Sequence, residues 1–317
     1  MENEKTVQLS LIIPIYNEAE NLPDLYREIT DSCTALGRTY EIILIDDGSS
    51  DDSFAVLKKI QVGDSHIRVI QLRRNFGQTP AMAAGFDHAR GDIIITLDAD
   101  LQNDPKDFGA LIDKLEEGYD IVSGWRRKRH DGFSRRIPSR IANWLISTFT
   151  RVRLHDYGCT LKAFRRDVIK NIQLYGELHR FIPAIASHMG TRIAEVEVNH
   201  RARTRGKSKY NIWRFPKVIL DLLTVKFLLT YSTRPLQIFG IFGIICGFLG
   251  GLIGLYLTYE RLILLHSIAN RPLLLLSILL IVIAIQFFTL GLLAEITVRA
   301  YHESSQKKIY FIREIIE

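Results

Sequence analysis

Gly91-Asp92-Ile93-Ile94-Ile95-Thr96-Leu97-Asp98-Ala99-Asp100-Leu101-Gln102-Asn103-Asp104-Pro105 begins as an apolar, β-branched run and ends among carboxylates. Asp98 and Asp100 stand two residues apart, and the Gln102 amide follows two residues later. The run has the length and composition of a buried strand, so the polar residues fall at its carboxyl end. Oxygen ligands there suit a hard divalent cation, Mg²⁺ or Mn²⁺, and such a cation can bridge to a diphosphate and neutralise its charge. A solvated turn after a strand uses the same residue types, so the stretch takes its meaning from its surroundings.

Three more runs of this kind precede it. Residues 9–15, 40–45, 67–72 and 93–97 read as strands, and residues 22–35, 53–60 and 79–89 between them read as helices. Near-continuous apolar strands joined by helices predict an α/β fold with a mostly parallel sheet covered on both faces. Such sheets bind ligands beyond the carboxyl ends of their strands. The first strand runs into Pro14-Ile15-Tyr16-Asn17-Glu18, the second into Asp46-Asp47-Gly48-Ser49 and the fourth into Asp98-Ala99-Asp100, so three polar clusters converge on one edge. The Asp46 cluster on its own also fits an ordinary turn with a helix cap. No G-x-G-x-x-G follows these strands and no G-x-x-x-x-G-K-[ST] occurs, which removes the main support for a dinucleotide-binding or P-loop protein.

At 317 residues the chain exceeds one average domain, and its apolar residues crowd the last third. Residues 236–259 and 273–294 contain no charge. Each run is longer than the roughly 20 residues a membrane helix needs, and neither carries a central charge costing about 2.5–3.5 kcal/mol. Both are predicted to span a membrane. The acidic N-terminus has no apolar targeting segment. Lys217, Lys226 and Arg234 precede the first span and Arg299, Lys307 and Lys308 follow the second, whereas the connection holds Arg261 and Arg271 beside Glu260 and His266. The positive-inside bias then puts both termini in the cytoplasm, in a protein of the cell's inner membrane. Cys33, Cys159 and Cys246 form no metal or disulfide pattern and fit a reducing compartment.

The formal charge of +6 is concentrated in residues 125–130, Arg135, Arg136, Arg140 and residues 201–209. Beside two spans, an anionic lipid surface explains these clusters better than nucleic acid does, at roughly 1 kcal/mol per basic residue near the headgroups. Residues 137–149 and 212–229 are apolar with interspersed polar positions, as interfacial helices would be. Gly243, Gly247 and Gly251 recur every fourth residue in the first span, a spacing that permits close helix packing within the chain or between subunits.

Taken in order, Pro14 to Glu18, Asp46 to Ser49, Arg74-Asn75-Phe76-Gly77-Gln78 and Asp98 to Gln102 resemble the successive blocks of an inverting family 2 glycosyltransferase with a GT-A fold. His155-Asp156-Tyr157-Gly158-Cys159-Thr160-Leu161-Lys162-Ala163-Phe164 and Arg203-Thr204-Arg205-Gly206-Lys207-Ser208-Lys209 resemble later blocks of the polyprenyl-phosphate glycosyltransferases. Dolichyl-phosphate mannose synthase and the bacterial GtrB-type glucosyltransferases belong to that branch. The resemblance extends from Leu9 to the second span. It implies a GT-A catalytic domain over residues 1–205, juxtamembrane helices over 206–234, two spans over 235–298 and a cytoplasmic tail over 299–317.

It also implies metal-dependent transfer of a sugar, with inversion, from a nucleotide sugar to a polyprenyl phosphate. UDP-glucose and undecaprenyl phosphate are the expected pair. GDP-mannose, a UDP-N-acetylhexosamine donor or a hydroxyl-lipid acceptor are the alternatives. Pro14, Tyr16, Glu18, Asp46 and Asp47 should line the nucleotide-sugar pocket, while Asp98, Asp100 and Gln102 gather the metal and diphosphate. Arg203 matches an arginine placed against the donor phosphates. Arg126, Arg135 and Ser139 match positions that hold the acceptor phosphate, with Arg127 and Arg136 as alternative alignments, and guanidinium suits phosphate because it binds it bidentately without losing charge. Homo-oligomers, tetramers among them, fit the resemblance.

Asp156, Asp100 and Arg203 make the expected catalytic set, and Asp156 sits where the family has a candidate base. A lipid monophosphate has a second pKa near ~6 and is mostly a dianion at neutral pH, so it needs no proton removed. Asp156 is therefore expected to position the arginines or the sugar, with rate coming from neutralisation of the leaving diphosphate and from alignment. A processive polysaccharide synthase would carry a Q-x-x-R-W block and more spans, and neither occurs. A hydroxyl-lipid glucosyltransferase would need a true base. A non-catalytic scaffold would have no use for the retained carboxylates and arginines.

Overall fold

A computed structural model describes residues 7–127, 147, 152–172, 174, 178–202, 235–265, 272–304 and 308–317. The chain forms two compact units, Met1–Val225 with Lys308–Glu317, and Lys226–Lys307.

The first unit is built on one eight-stranded sheet. In chain order its described elements are β1 (Leu9–Ile15), α1 (Leu22–Leu36), β2 (Tyr40–Asp46), α2 (Ser53–Gly63), β3 (Ile67–Leu72), α3 (Gln78–His88), β4 (Ile93–Thr96), α4 (Phe108–Glu116), β5 (Ile121–Trp125), β6 (Lys162–Arg165), α5 (Arg166–Lys170), α6 (Ile182–Ser187), β7 (Ile193–Glu197) and β8 (Ile312–Ile316). The strands lie in the order β7-β5-β6-β4-β1-β2-β3-β8. The central four, β4-β1-β2-β3, are mutually parallel, and nearly every residue in them is buried because helices cover both faces. α1 presents Leu22, Leu25, Ile29 and Cys33 to the sheet along one stripe and stops at Gly37, whose φ of 64° closes the helix.

The flank is less regular. β6 enters antiparallel between β4 and β5, and β7 then pairs parallel with β5. The parallel half follows the apolar runs to within three residues at each end, while β5 to β7 depend on pairings between distant segments. At the opposite edge β8 pairs antiparallel with β3, Val69 opposite Ile316 and Leu72 opposite Ile312. The segment read as a cytoplasmic tail thus continues a helix to Ser304 and then supplies a strand to the first unit.

In the second unit α7 (Pro235–Leu262) and α8 (Pro272–Ser304) pack together, and Phe239–Leu262 and Pro272–Ala294 are long and apolar enough to cross a membrane. Ile244, Phe248, Leu255, Leu275 and Ile285 are among the large side chains left exposed, as lipid-facing surface would be. Glycines form the seam between the helices. A Cβ at Gly243 would lie 3.0 Å from the Phe288 ring, one at Gly247 3.4 Å from Ala284, one at Gly250 3.0 Å from Ile281 and one at Gly254 3.2 Å from Ser277. Steps of four, three and four residues keep that seam on one side of α7. Ser277 Oγ donates across it to the Gly250 carbonyl at 2.8 Å. Of the repeat noted in the sequence, Gly243 and Gly247 serve packing within the chain, whereas Gly251 has nothing within 4 Å.

Candidate active site

The loops after β1 and β2 clasp each other. Asn17, at φ 54°, donates its backbone N–H to Ser49 Oγ at 3.0 Å, and its Oδ1 accepts from Ser50 N at 2.8 Å. Glu18 N donates to Ser53 Oγ at 3.0 Å, while Glu18 Oε2 accepts from Asn21 Nδ2 at 2.6 Å. Pro14, Tyr16 and Glu18 are half-buried along this rim. Asp46 and Asp47 are buried beneath it. Asp46 Oδ1 accepts from Ser49 N at 3.1 Å. Asp47 receives Phe76 N at 2.8 Å on one oxygen and Gly77 N at 2.9 Å on the other, and so ties the β2 loop to the Arg74–Gln78 segment. Burial pushes the Asp47 carboxyl up to about 6, against the two backbone donors that favour its charge. Gly48 has φ 65°, and a Cβ there would lie 2.4 Å from the Arg74 carbonyl carbon. Only glycine lets these loops approach so closely.

Beyond β4, Asp98 is held from both sides. Gln78 Nε2 donates to its Oδ1 at 2.8 Å, and Thr160 Oγ1 donates to its Oδ2 at 2.8 Å. Burial raises the carboxyl's proton affinity, opposed by the Thr160 hydrogen bond and by the charges of Arg126, Lys162 and Arg180. Leu101 takes φ 60°, a left-handed conformation unusual for leucine, and turns the chain between Asp100 and Gln102. Gln102 N donates to Asp100 Oδ1 at 3.2 Å. The Gln102 carbonyl accepts from Arg201 N at 2.9 Å, and the Arg201 guanidinium reaches Glu28 and Asp104, each at 2.7 Å. The segment after β7, at Arg201, is thereby laid against the carboxylate loop.

No group of three His, Cys, Asp or Glu side chains able to hold a metal occurs among the described residues. Two carboxylates and an amide on one tight turn fit a cation that takes its remaining oxygens from a substrate diphosphate.

The third part of the site lies past β5. Arg126 grips Asp156 with two prongs, Nε to Oδ2 at 2.7 Å and Nη2 to Oδ1 at 3.0 Å. The side chains are 13% and 4% exposed, so the pair is shielded from water. Burial works against the arginine's charge, but the Asp156 hydrogen bond together with the nearby Cys159, Asp156 and Asp98 groups outweighs it, and the guanidinium holds its proton more tightly than usual. Arg127 instead turns outward to Glu197 at 2.8 Å. Glu195 accepts from the backbone N–H groups of His155 and Asp156 at 2.8 and 3.1 Å, and the His155 ring stacks on Trp125 with centroids 4.3 Å apart.

Asp98 and Asp156 therefore sit at either side of one cluster, joined through the charges of Arg126 and Lys162. Arg135, Ser139 and Arg203, the alternative Arg136, residues 212–229 and all of 137–149 but Ser147 lie outside the described residues. Sequence reasoning assigned no site role to Gln78, Thr160, Lys162 or Arg180, and it read Arg201 as part of a basic cluster suited to a lipid surface, whereas the structure engages its guanidinium with Glu28 and Asp104. Gln78, Thr160 and Lys162 stand inside blocks already singled out, and a lysine within the apolar run Leu161-Lys162-Ala163-Phe164 was a signal of its own.

A model described as glycosyl transferase family 2 matches residues 10–173. The chain is 43% identical to a dodecaprenyl-phosphate galacturonate synthase of Rhizobium johnstonii, over 99% of this chain and 94% of that one. It is 40% identical to an undecaprenyl-phosphate 4-deoxy-4-formamido-L-arabinose transferase of Klebsiella pneumoniae, over 98% and 94%. Among solved structures, a glucosyl-3-phosphoglycerate synthase from Mycobacterium tuberculosis with Mn²⁺, UDP-glucose and phosphoglyceric acid superposes with a TM-score of 0.55 at 20% identity, covering 69% of this chain and 80% of that one. A mannosyl-3-phosphoglycerate synthase from Rubrobacter xylanophilus gives 0.56 at 19%, covering 70% and 74%. These structural likenesses show the fold, GT-A. With its carboxylate turn at the end of a parallel strand and its sequence matched from end to end, the chain belongs to glycosyl transferase family 2, on the branch of the polyprenyl-phosphate glycosyltransferases.

Proposed function

We propose that this enzyme transfers a sugar, with inversion, from a nucleoside-diphosphate donor to the phosphate of a polyprenyl phosphate at the cytoplasmic face of the inner membrane. The observation that carries this reading is the pairing of a carboxylate turn at Asp98 with the buried guanidinium of Arg126 in one cluster. The first suits the metal-bound diphosphate of a donor and the second suits the phosphate of an acceptor.

Asp98, Asp100 and Gln102 would hold the divalent cation, Mg²⁺ or Mn²⁺, whose contribution is neutralisation of the leaving diphosphate. Two of the five guanidinium N–H groups of Arg126 go to Asp156, which leaves three for an acceptor phosphate. An oxygen of the acceptor phosphate forms the bond to the sugar C1 as the C1–O bond to the donor diphosphate breaks. The bonding electrons leave with the nucleoside diphosphate. An acceptor that is already a dianion needs no base. Asp156, with both oxygens on Arg126, serves this step by holding the guanidinium in place.

The expected donor, UDP-glucose, needs revision. The relatives of highest identity cited above are named for galacturonate and for 4-deoxy-4-formamido-L-arabinose. We place these modified sugars ahead of glucose, with UDP as the carrier. Both ends of the two-helix unit connect to the sheet-bearing unit, which suits an even number of crossings, and the basic residues flanking the two helices support a cytoplasmic side for that unit. A homo-oligomer would have to form through surfaces other than the glycine seam, which α8 already occupies.

The test is a mass-spectrometric product assay with purified protein, undecaprenyl phosphate, Mg²⁺ or Mn²⁺, and the UDP-linked forms of galacturonate, 4-deoxy-4-formamido-L-arabinose and glucose, with GDP-mannose alongside. A lipid monophosphate sugar formed from one donor and lost in Asp100→Ala is the expected result. Folded protein that binds nucleotide and yields no product from any donor would refute the acceptor assignment.

A further inference from the structure

Lys162 is a buried lysine between the two halves of the site. It opens β6, where it pairs with Thr96 of β4 on one side and with Ser123 of β5 on the other. Two residues beyond Thr96 stands Asp98, and three beyond Ser123 stands Arg126. The lysine is 3% exposed. Among the described residues its ammonium meets no carboxylate at ion-pair distance. It donates instead to the carbonyl oxygens of Cys159 and, at 3.4 Å, Tyr157. Burial lowers its pKa, against the pull of Cys159, Asp156 and Asp98. An ammonium kept in such a place is costly to the fold, and a neutral apolar side chain would fill the same strand position without the penalty.

Both carbonyls belong to one short turn. Its first residue, Asp156, aims the guanidinium of Arg126, and its last, Thr160, donates to the metal-side carboxylate of Asp98. The same lysine thus fastens the backbone from which donor-side and acceptor-side groups are both oriented. We propose that Lys162 is a positioning residue that holds the Asp156–Thr160 turn and so sets Asp98 and Arg126 at the separation sugar transfer requires. This rests on the sugar-transfer reading above. It concerns how the two halves are kept in register, which neither half achieves alone.

The test uses full-length protein carrying Lys162→Met or Lys162→Arg. With the donor that serves the wild type, Lys162→Met should bind nucleotide normally, keep its KM values within a few-fold and lose about 100-fold in kcat, the scale of a misplacement near 1 Å. Lys162→Arg, which can still donate to both carbonyls, should recover at least about tenfold of that loss. A lysine needed only for folding would lower the melting temperature and the active fraction but leave turnover per active molecule unchanged, and that result overturns the inference. Where Lys162→Met does not fold, Lys162→Gln takes its place: its amide ends one atom short of the ammonium position and donates less well to the two carbonyls, so a smaller loss of kcat, about tenfold, is expected.

Amide hydrogen exchange separates this inference from the functional reading. Exchange across residues 156–160 should rise in the Met variant whether or not the donor has been found. Unchanged exchange there sinks the positioning role. Wild-type protein that makes no lipid-linked sugar counts against the functional reading alone.

Discussion

Arg126 and Asp156 form a two-pronged ion pair at 2.7 and 3.0 Å in a site where both side chains are nearly enclosed. Asn at position 156 would present an amide N–H₂ to one prong and leave the guanidinium half paired. Removing one partner of a buried pair costs about 3–5 kcal/mol, so Asp156→Asn should melt well below the wild type. Its acceptor KM should rise and its kcat fall, and the deficit should persist at alkaline pH because no proton transfer is being replaced. Steady-state kinetics across pH check this. A deficit that vanishes at high pH would restore Asp156 as a base.

Asp47 titrates where stability can report it. Its folded carboxyl is pushed up to about 6 from the ordinary 3.8. Between those values the folded state binds more protons than the unfolded state, so the contribution of Asp47 to stability falls as pH rises through that window. Asp47→Asn has no such titration. The wild type's stability relative to this variant should therefore shrink from acid towards neutral pH, as followed by chemical denaturation of the two proteins. A difference that grows with pH contradicts the assignment.

Gly48 brings the β2 loop against the Arg74 backbone. An added methyl would meet the Arg74 carbonyl carbon at 2.4 Å, with φ 65° already unfavourable for alanine. Gly48→Ala should cost about 1–3 kcal/mol, as overpacking does, and weaken nucleotide binding by displacing the loops. Thermal melts and calorimetric titration with the nucleoside diphosphate are the measurements.

The last strand ties the end of the chain to the sheet. Arg73 N donates to the Phe311 carbonyl at 2.9 Å, Tyr310 Oη to Asp87 at 2.6 Å, and Lys58 meets Glu314 at 3.2 Å. Deleting residues 308–317 would bare the β3 edge and free the segment that leads to Phe76 and Gly77. We expect a lower melting temperature, faster exchange of the β3 amides and a tendency to aggregate, since an open edge templates further pairing. A truncated protein with wild-type melting and exchange would show the strand to be dispensable.

Two glycines of α7 should behave oppositely. Gly243→Leu puts a side chain where the Phe288 ring lies 3.0 Å from the Cβ position, whereas Gly251→Leu enters open space. The first should disrupt the hairpin and reduce folded yield in membranes, and the second should be tolerated. Expression and detergent melting of the pair decide it. Sensitivity at Gly251 instead would indicate that this face meets another subunit.

The parallel core was readable because each of its strands is a continuous apolar run bounded by polar turns, and burial on both faces leaves that local mark. β5, β6 and β7 carry weaker marks, since the short β6 and β7 have charged residues within them, Lys162 in a buried position and Glu195 and Glu197 at the edge. Ile312 to Ile316 reads as the end of a tail until β3 is beside it. Candidate site residues were recognisable as types at strand ends, but their partners were not. Nothing local shows that Asp47 receives the Phe76 and Gly77 amides or that Thr160 reaches Asp98.

The one-dimensional chain by itself determined the α/β core, the carboxylate turn after β4, the two helices long and apolar enough to cross a membrane, and the family, because strand burial, apolar length and ordered motifs are local or colinear properties. Only the tertiary structure decided which arginine Asp156 holds, which glycines the helix hairpin uses, where the last strand pairs, and that Lys162 lies between Asp98 and Arg126. Those contacts join segments tens to hundreds of residues apart. Their partners are chosen by the sheet order and by the need of every buried charge and backbone group for a counterpart, and neither acts until the chain has folded.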